Sequence, residues 1–225
     1  MKALIINGSG TLIDSALSGF ALLADAIGKK QEMLEHQAYY FKVRQNQPWG
    51  SEEFAKMFSG TSQELLMQKA REIVKKTLRS GARELIKRLK AKGYITAFYS
   101  TDPMEIALAL QEELGFDDVF GTLFEYKDNI VTGKLAKKFD RYDRAKKIKE
   151  FIEKNNLKKE DVFIVGDSIT AVPSAEFGRI ISFNSKNPEL DKIAEFKVNK
   201  FPEILQILKI MIILNFTLVY LHIFS

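Results

Sequence analysis

The sequence has no cysteine, which excludes disulfides and thiolate metal centres and fits a reducing compartment. Histidine is scarce as well. His36 and His222 have no partners at metal-ligand spacing, so both read as structural residues. The apolar start, Met1-Lys2-Ala3-Leu4-Ile5-Ile6, is too short for a signal peptide and reads as a buried strand. No internal repeat or low-complexity segment is present. An excess of one charge is also missing: 34 Lys+Arg stand against 29 Asp+Glu, for a net charge of +5. The basic residues at 83–92 and 146–159 alternate with acidic ones, as on solvated helix faces. Nucleic acid is therefore not expected as a partner, although a mild positive balance favours anionic ligands.

What is present is an ordinary globular composition, 46% hydrophobic and 28% charged. The length suits one large domain, or a core with a smaller insert. Residues 3–6 form an apolar run that ends in Asn7-Gly8-Ser9-Gly10, a strand followed by a turn. From about 15 to 77 the pattern is helical, with a polar break at 46–51 and no strand signal. Leu17, Phe20, Leu23, Ala24 and Ile27 recur at helical spacing, and Gly28 can end that helix.

After Gly81 helices and strands alternate. The runs 94–99, 162–165, 179–183 and 196–198 read as strands, and 82–92, 104–114, 141–155 and 172–177 as helices. A small hairpin is expected at 123–126 and 130–132, around Lys127-Asp128-Asn129. Such alternation predicts a parallel sheet covered by helices on both faces. Ligands bind such sheets at the carboxyl ends of the strands, which points to residues 7–11, 100–102 and 166–171.

Three of these segments carry a resemblance. Residues 7–15, Asn-Gly-Ser-Gly-Thr-Leu-Ile-Asp-Ser, resemble the first motif of the haloacid dehalogenase (HAD) superfamily, D-x-D-G-T-L-x-D-S. Residues 95–100 resemble its second motif, an apolar strand ending in Ser or Thr, and 162–167 its fourth, an apolar strand ending in Gly-Asp. The stretches 78–100, 114–135 and 175–204 are similar to phosphoserine phosphatases in particular. The resemblance covers roughly residues 1–208. It implies an α/β, Rossmann-type, HAD-like sheet at 1–14 and 78–208, with an all-helical cap at 15–77.

The resemblance also implies phosphoryl transfer through an aspartyl-phosphate. One carboxylate attacks phosphorus and a second, two residues on, acts as acid and base. Mg²⁺ is held by carboxylates. This chain departs at those points: Asn7 stands at the nucleophile position and Ser9 at the acid/base position. Asp167 is kept as a metal ligand, but Ala171 replaces the second motif-four acid. Thr11 and Ser100 remain as phosphate-binding residues. Arg144 is the best match for the basic residue, with Lys146 close enough to compete.

The expected protein is thus a catalytically impaired pseudoenzyme with a weak metal site or none, retaining a pocket for a small phosphorylated or anionic ligand. No cofactor is assigned, and Mg²⁺ is expected if the protein is active. An active Mg²⁺-dependent phosphatase is the alternative, and a scaffold or interaction protein a third reading.

Each motif has a plainer reading beside the functional one. Asn7–Gly10 can be a simple turn, Ser100, Thr101 and Asp167 helix caps, and Arg144 a surface residue. The cluster Tyr39, Tyr40, Phe41 and Trp49 reads as core of the cap rather than substrate wall. The end of the chain is anomalous. Of the sixteen residues 210–225, twelve are apolar and none is charged. As a helix they span about 24 Å, short of the roughly 30 Å hydrocarbon core of a bilayer. The 209–225 tail therefore leaves open a membrane anchor, packing on the domain or on a second subunit of a homodimer, or an unselected end. The expected location is cytoplasmic, or membrane-associated through that tail.

Overall fold

The computed structural model describes residues 1–43 and 51–208. Strand β1 (Lys2–Ile6) lies at the centre of a seven-stranded sheet. Ala3, Leu4, Ile5 and Ile6 are fully buried, as a strand covered on both faces must be. It pairs in parallel with β2 (Tyr94–Pro103) on one side and β5 (Val162–Gly166) on the other. Ile6 lies opposite both Phe98 and Val165, so Asn7, Ser100 and Asp167 emerge at one edge of the sheet.

Outward from β5 come β6 (Arg179–Phe183) and β7 (Phe196–Val198), both parallel. Beyond β2, the first half of β3 (Asp118–Lys127) pairs in parallel with β2. Its second half pairs in antiparallel with β4 (Ile130–Lys137), the edge strand. The sheet is therefore mixed, and the expected hairpin is the far end of a ten-residue strand. Asp128 and Asn129 turn it with φ of 52° and 65°, the double positive φ that a tight hairpin requires and that Asp and Asn tolerate.

Alternation along β1 sorts the two cores. Leu4 and Ile6 face a cluster built with α1 (Gly19–Ala26), α4 (Gln63–Thr77), α5 (Ala82–Ala91) and α6 (Met104–Leu114). Ala3 and Ile5 face Ile148 and Phe151 of α7 (Arg141–Lys154) and Leu190 of α8 (Pro188–Ile193). Helices α2 (Lys30–Val43) and α3 (Ser51–Met57) complete the insert between β1 and α5.

The two ends of the insert run side by side. Asp14 N–H donates to the Thr77 carbonyl and Arg79 N–H to that of Leu12, each at 2.8 Å. Residues 60–63 are also stitched to the hairpin, through Gly60 to Val131 (3.0 Å), Val131 to Thr61 (2.9 Å) and Gln63 to Asn129 (2.8 Å).

Two expectations are corrected here. Tyr39 is 57% exposed and is not insert core. Phe20, Phe54 and Phe58 fill that core, with Phe124 of β3 set 5.9 Å from Phe20 and 5.0 Å from Phe58. Tyr40 and Phe41 belong to α2, while Trp49 and the 209–225 tail lie outside the described residues. The α-helix expected near 172–177 is a 3₁₀ run, Ile169–Glu176, with Pro173 inside it, because proline has no N–H for an α-helical bond. His36 packs edge-on to Phe54, in keeping with a structural role, while His222 lies outside the described residues. Among the described residues no helix is long and apolar enough to cross a membrane.

Candidate active site

The site is built around the loop that follows β1. Asn7 continues the pairing to β5 by donating its N–H to the Val165 carbonyl, 3.0 Å. The Gly8 carbonyl then accepts from the N–H groups of Thr11, Leu12 and Ile13 at 3.0, 2.9 and 3.2 Å, which folds the loop about one oxygen. Gly10 has φ +83°, and a Cβ placed there would lie 2.0 Å from Asp167 Oδ2. Only glycine satisfies both conditions. Arg79 braces the loop from outside, donating to the Thr11 and Gly10 carbonyls at 2.8 and 3.1 Å and pairing with Asp14 at 2.8 Å.

One side of the loop faces Asp167, just past β5. The Asn7 amide nitrogen and the Thr11 hydroxyl both donate to Asp167 Oδ1, each at 3.2 Å. Facing a carboxylate, the amide presents its N–H rather than its oxygen. Burial pushes the Asp167 carboxyl above the usual carboxylate range, and the negative charge of Asp102 adds to that. The bonds from Asn7 and Thr11 oppose it.

Arg144 reaches this side from the first turn of α7 and is fully buried rather than at the surface. Nε donates to the Tyr99 carbonyl at 2.8 Å, and Nη1 to the Thr170 carbonyl at 3.3 Å and Ser174 Oγ at 3.5 Å. Nη2 is buried with no hydrogen-bond partner. Burial lowers its pKa to about 10, against the pull of Asp167, so it remains a cation near neutral pH. Lys146, the competing basic residue, has a 76% exposed side chain. Ala171 is fully buried, and a Cβ added to Gly166 would come within 2.8 Å of its methyl.

The other side of the loop faces Asp102, which lies in the strand-end segment 100–102 but has no counterpart in the motif that 95–100 resemble. Asp102 Oδ2 accepts from Ser100 Oγ at 2.8 Å and Ser9 Oγ at 3.1 Å, and its Oδ1 accepts from Gly19 N–H at 2.7 Å. Ser100, expected to bind phosphate, thus directs its hydroxyl to a carboxylate of the chain itself. It caps no helix, since β2 runs on to Pro103. The structure therefore brings Asn7, Thr11, Arg144 and Asp167 together on one side, and Ser9 and Ser100 on the other. A cavity of about 590 Å³ opens over Ser9, Gly10 and Asp167, with Asp14, Arg79, Asn184 and Lys186 in its wall.

A haloacid dehalogenase-like hydrolase family model matches residues 9–176, and the chain belongs to that family. Phosphoserine phosphatase of Archaeoglobus fulgidus is 32% identical over 127 residues, 55% of this chain and 36% of that protein. The Idiomarina loihiensis phosphoserine phosphatase is 33% identical over 123 residues, 53% of this chain and 54% of its own length. The match thus spans about a third of one relative and half of the other. Among solved structures, a phospho-aspartyl intermediate analogue of phosphoserine phosphatase has a TM-score of 0.75 at 21% identity, covering 91% of this chain and 97% of that one. A substrate-bound phosphoserine phosphatase complex gives 0.75 at 21%, covering 92% and 98%. At such identity the likeness establishes the fold, here the α/β HAD-like fold with its mixed sheet.

Phosphatases of this family use Mg²⁺, which calls for several oxygen ligands, mainly anionic. Around Asp167 the structure offers one carboxylate, an amide turned nitrogen-first and a methyl group. Among the described residues no cluster of three or more His, Cys, Asp or Glu is placed to hold a metal. This donor set does not fit the ion.

Proposed function

We propose that this chain is a phosphoserine-phosphatase-like member of its family that has lost turnover through an aspartyl-phosphate and keeps its strand-end pocket for a small anionic or phosphorylated ligand. The observation that carries this reading is Asn7. It directly follows β1, 7% exposed, with its amide nitrogen committed to Asp167. An amide is uncharged and its nitrogen lone pair is delocalised into the carbonyl, so it cannot open the covalent route that a carboxylate opens. Ser9 reinforces the point: its hydroxyl donates to Asp102 and cannot exchange a proton with a leaving group near neutral pH.

Retention of a ligand is supported by the cavity, whose wall carries Arg79 and Lys186, and, outside that wall, by the fully buried Arg144. A buried guanidinium with an unsatisfied N–H is costly unless something fills that valence, and an anion is the natural partner. The test is turnover of p-nitrophenyl phosphate with Mg²⁺, on protein whose intact mass excludes deamidation of Asn7-Gly8 to aspartate. The expected rate equals that of Asn7→Ala. Turnover well above that variant contradicts the reading and establishes a working phosphatase.

A further inference from the structure

Asp102 sits in the site as a ligand would. Besides the hydroxyls of Ser9 and Ser100 and the N–H of Gly19, it draws the Ser9 N–H at 3.5 Å. Four donors from three chain segments converge on a carboxylate that is 5% exposed. One of them, Gly19, opens helix α1, where free N–H groups and the helix dipole favour negative charge. The surroundings are cut to fit it. A Cβ on Gly19 would lie 2.7 Å from Asp102 Cγ, and one on Gly8 2.7 Å from Oδ2. Convergent neutral donors in a glycine-lined socket are how backbone and hydroxyl groups hold an oxyanion.

Ser9 joins the socket to the cavity, since it lines the one and donates into the other. On the Asp167 side of the loop, the buried Arg144 Nη2 lacks a partner. We infer that Asp102 is a built-in competitor for the anion position: its carboxylate takes the donors of Ser9, Ser100 and Gly19, and an external phosphate or phosphoryl group binds by displacing it. The inference rests on the pocket being kept for an anionic ligand. It makes Asp102 the residue that sets how tightly such a ligand is held. If Asp102 merely ties α1 to the loop, its removal changes stability and leaves anion affinity alone.

The experiment is a calorimetric titration of inorganic phosphate, with chloride at matched ionic strength as reference. It uses the wild type, Asp102→Ala, Asp102→Asn and the double variant Asp102→Ala/Ser100→Ala. The dissociation constant for phosphate should fall at least tenfold in Asp102→Ala and by less in Asp102→Asn, which keeps an acceptor but drops the charge. The gain should vanish in the double variant. Equal affinity in wild type and Asp102→Ala overturns the competitor role while the anion pocket stands. Absence of phosphate-specific binding in every folded variant overturns both the competitor and the pocket, and leaves the loss of turnover to its own assay. Should circular dichroism show Asp102→Ala unfolded, the near-isosteric Asp102→Asn decides, and an unchanged constant there overturns the inference.

Discussion

The two sides of the loop at 7–11 differ in their acids. Toward β5 an amide and a methyl stand where the family motifs carry carboxylates, and Asp167 has neutral donors and the field of the Arg144 guanidinium. Toward β2 a carboxylate is present that the family motif does not call for, and serine hydroxyls are turned onto it. The proposed loss of catalytic acids is thus only half of the comparison. On one side of the loop Asp167 is the single carboxylate and on the other Asp102 is fixed by hydrogen bonds from Ser9, Ser100 and Gly19. Under that reading the site resists simple reversal, because an acid restored at position 9 meets Asp102, which holds the Ser9 and Ser100 hydroxyls.

The largest expected effect comes from breaking the loop's contact with Asp167. Gly10→Ala adds a Cβ at 2.0 Å from a carboxylate oxygen and imposes a left-handed backbone on alanine. Strain and overpacking together should destabilise by about 3 kcal/mol or more in urea unfolding. Gly28→Ala has the same kind of φ, +80°, with nothing within 4 Å, and should cost only about 1 kcal/mol. Equal costs would mean that the loop does not press on Asp167.

On the Asp102 side, Gly19→Ala should cost about 1–3 kcal/mol through overpacking. Asp102→Ala should recover most of it, giving a coupling energy well above the roughly 0.5 kcal/mol seen for independent sites. Additive losses would place Asp102 elsewhere.

Ser9→Asp sharpens the comparison by setting two carboxylates against each other. It should destabilise by about 1–2 kcal/mol at neutral pH, and Asp102→Asn should remove the penalty. Restoring chemistry with Asn7→Asp, Ser9→Asp and Ala171→Asp should accordingly give Mg²⁺ binding and weak phosphatase activity only when Asp102 is neutralised as well. Activity in the triple variant with Asp102 intact would show that the new carboxylate does not obstruct the old arrangement.

The smallest effect concerns a buried acid away from the loop. Glu105 of α6 is 4% exposed, and burial holds its pKa above the carboxylate norm despite a hydrogen bond from Tyr126. A raised folded-state pKa contributes stability that is full below the unfolded value and is lost as pH rises through the folded one. Glu105→Gln should therefore gain on the wild type across that rise, and the gap should close on acidification. Variants on either side of the loop should leave that profile unchanged.

The β5 side was largely legible because its residues follow strong strand signals in register with a known motif. Asn7, Thr11 and Asp167 meet where the strand ends predict. The burial of Arg144 was not legible. A helix reading Arg-Tyr-Asp-Arg-Ala-Lys-Lys looks solvated, and only packing against β2 and the 3₁₀ run distinguishes Arg144 from Lys146. Asp102 lies within the strand-end segment 100–102, but a Ser-Thr-Asp-Pro string reads as helix-start chemistry. Its bond to Gly19, 83 positions away, exists only in the folded chain. The parallel half of β3 was missed because Asp117-Asp118 and Gly121 interrupt its apolar pattern.

The most direct test of the proposed loss of an aspartyl-phosphate is to look for the covalent species itself. Mass-verified protein is mixed with Mg²⁺ and a ³²P-labelled phosphomonoester, quenched in acid, and counted for protein-bound phosphoryl groups that hydroxylamine releases. The account predicts no label above Asn7→Ala. Label approaching one per chain, absent from Asn7→Ala, would contradict it.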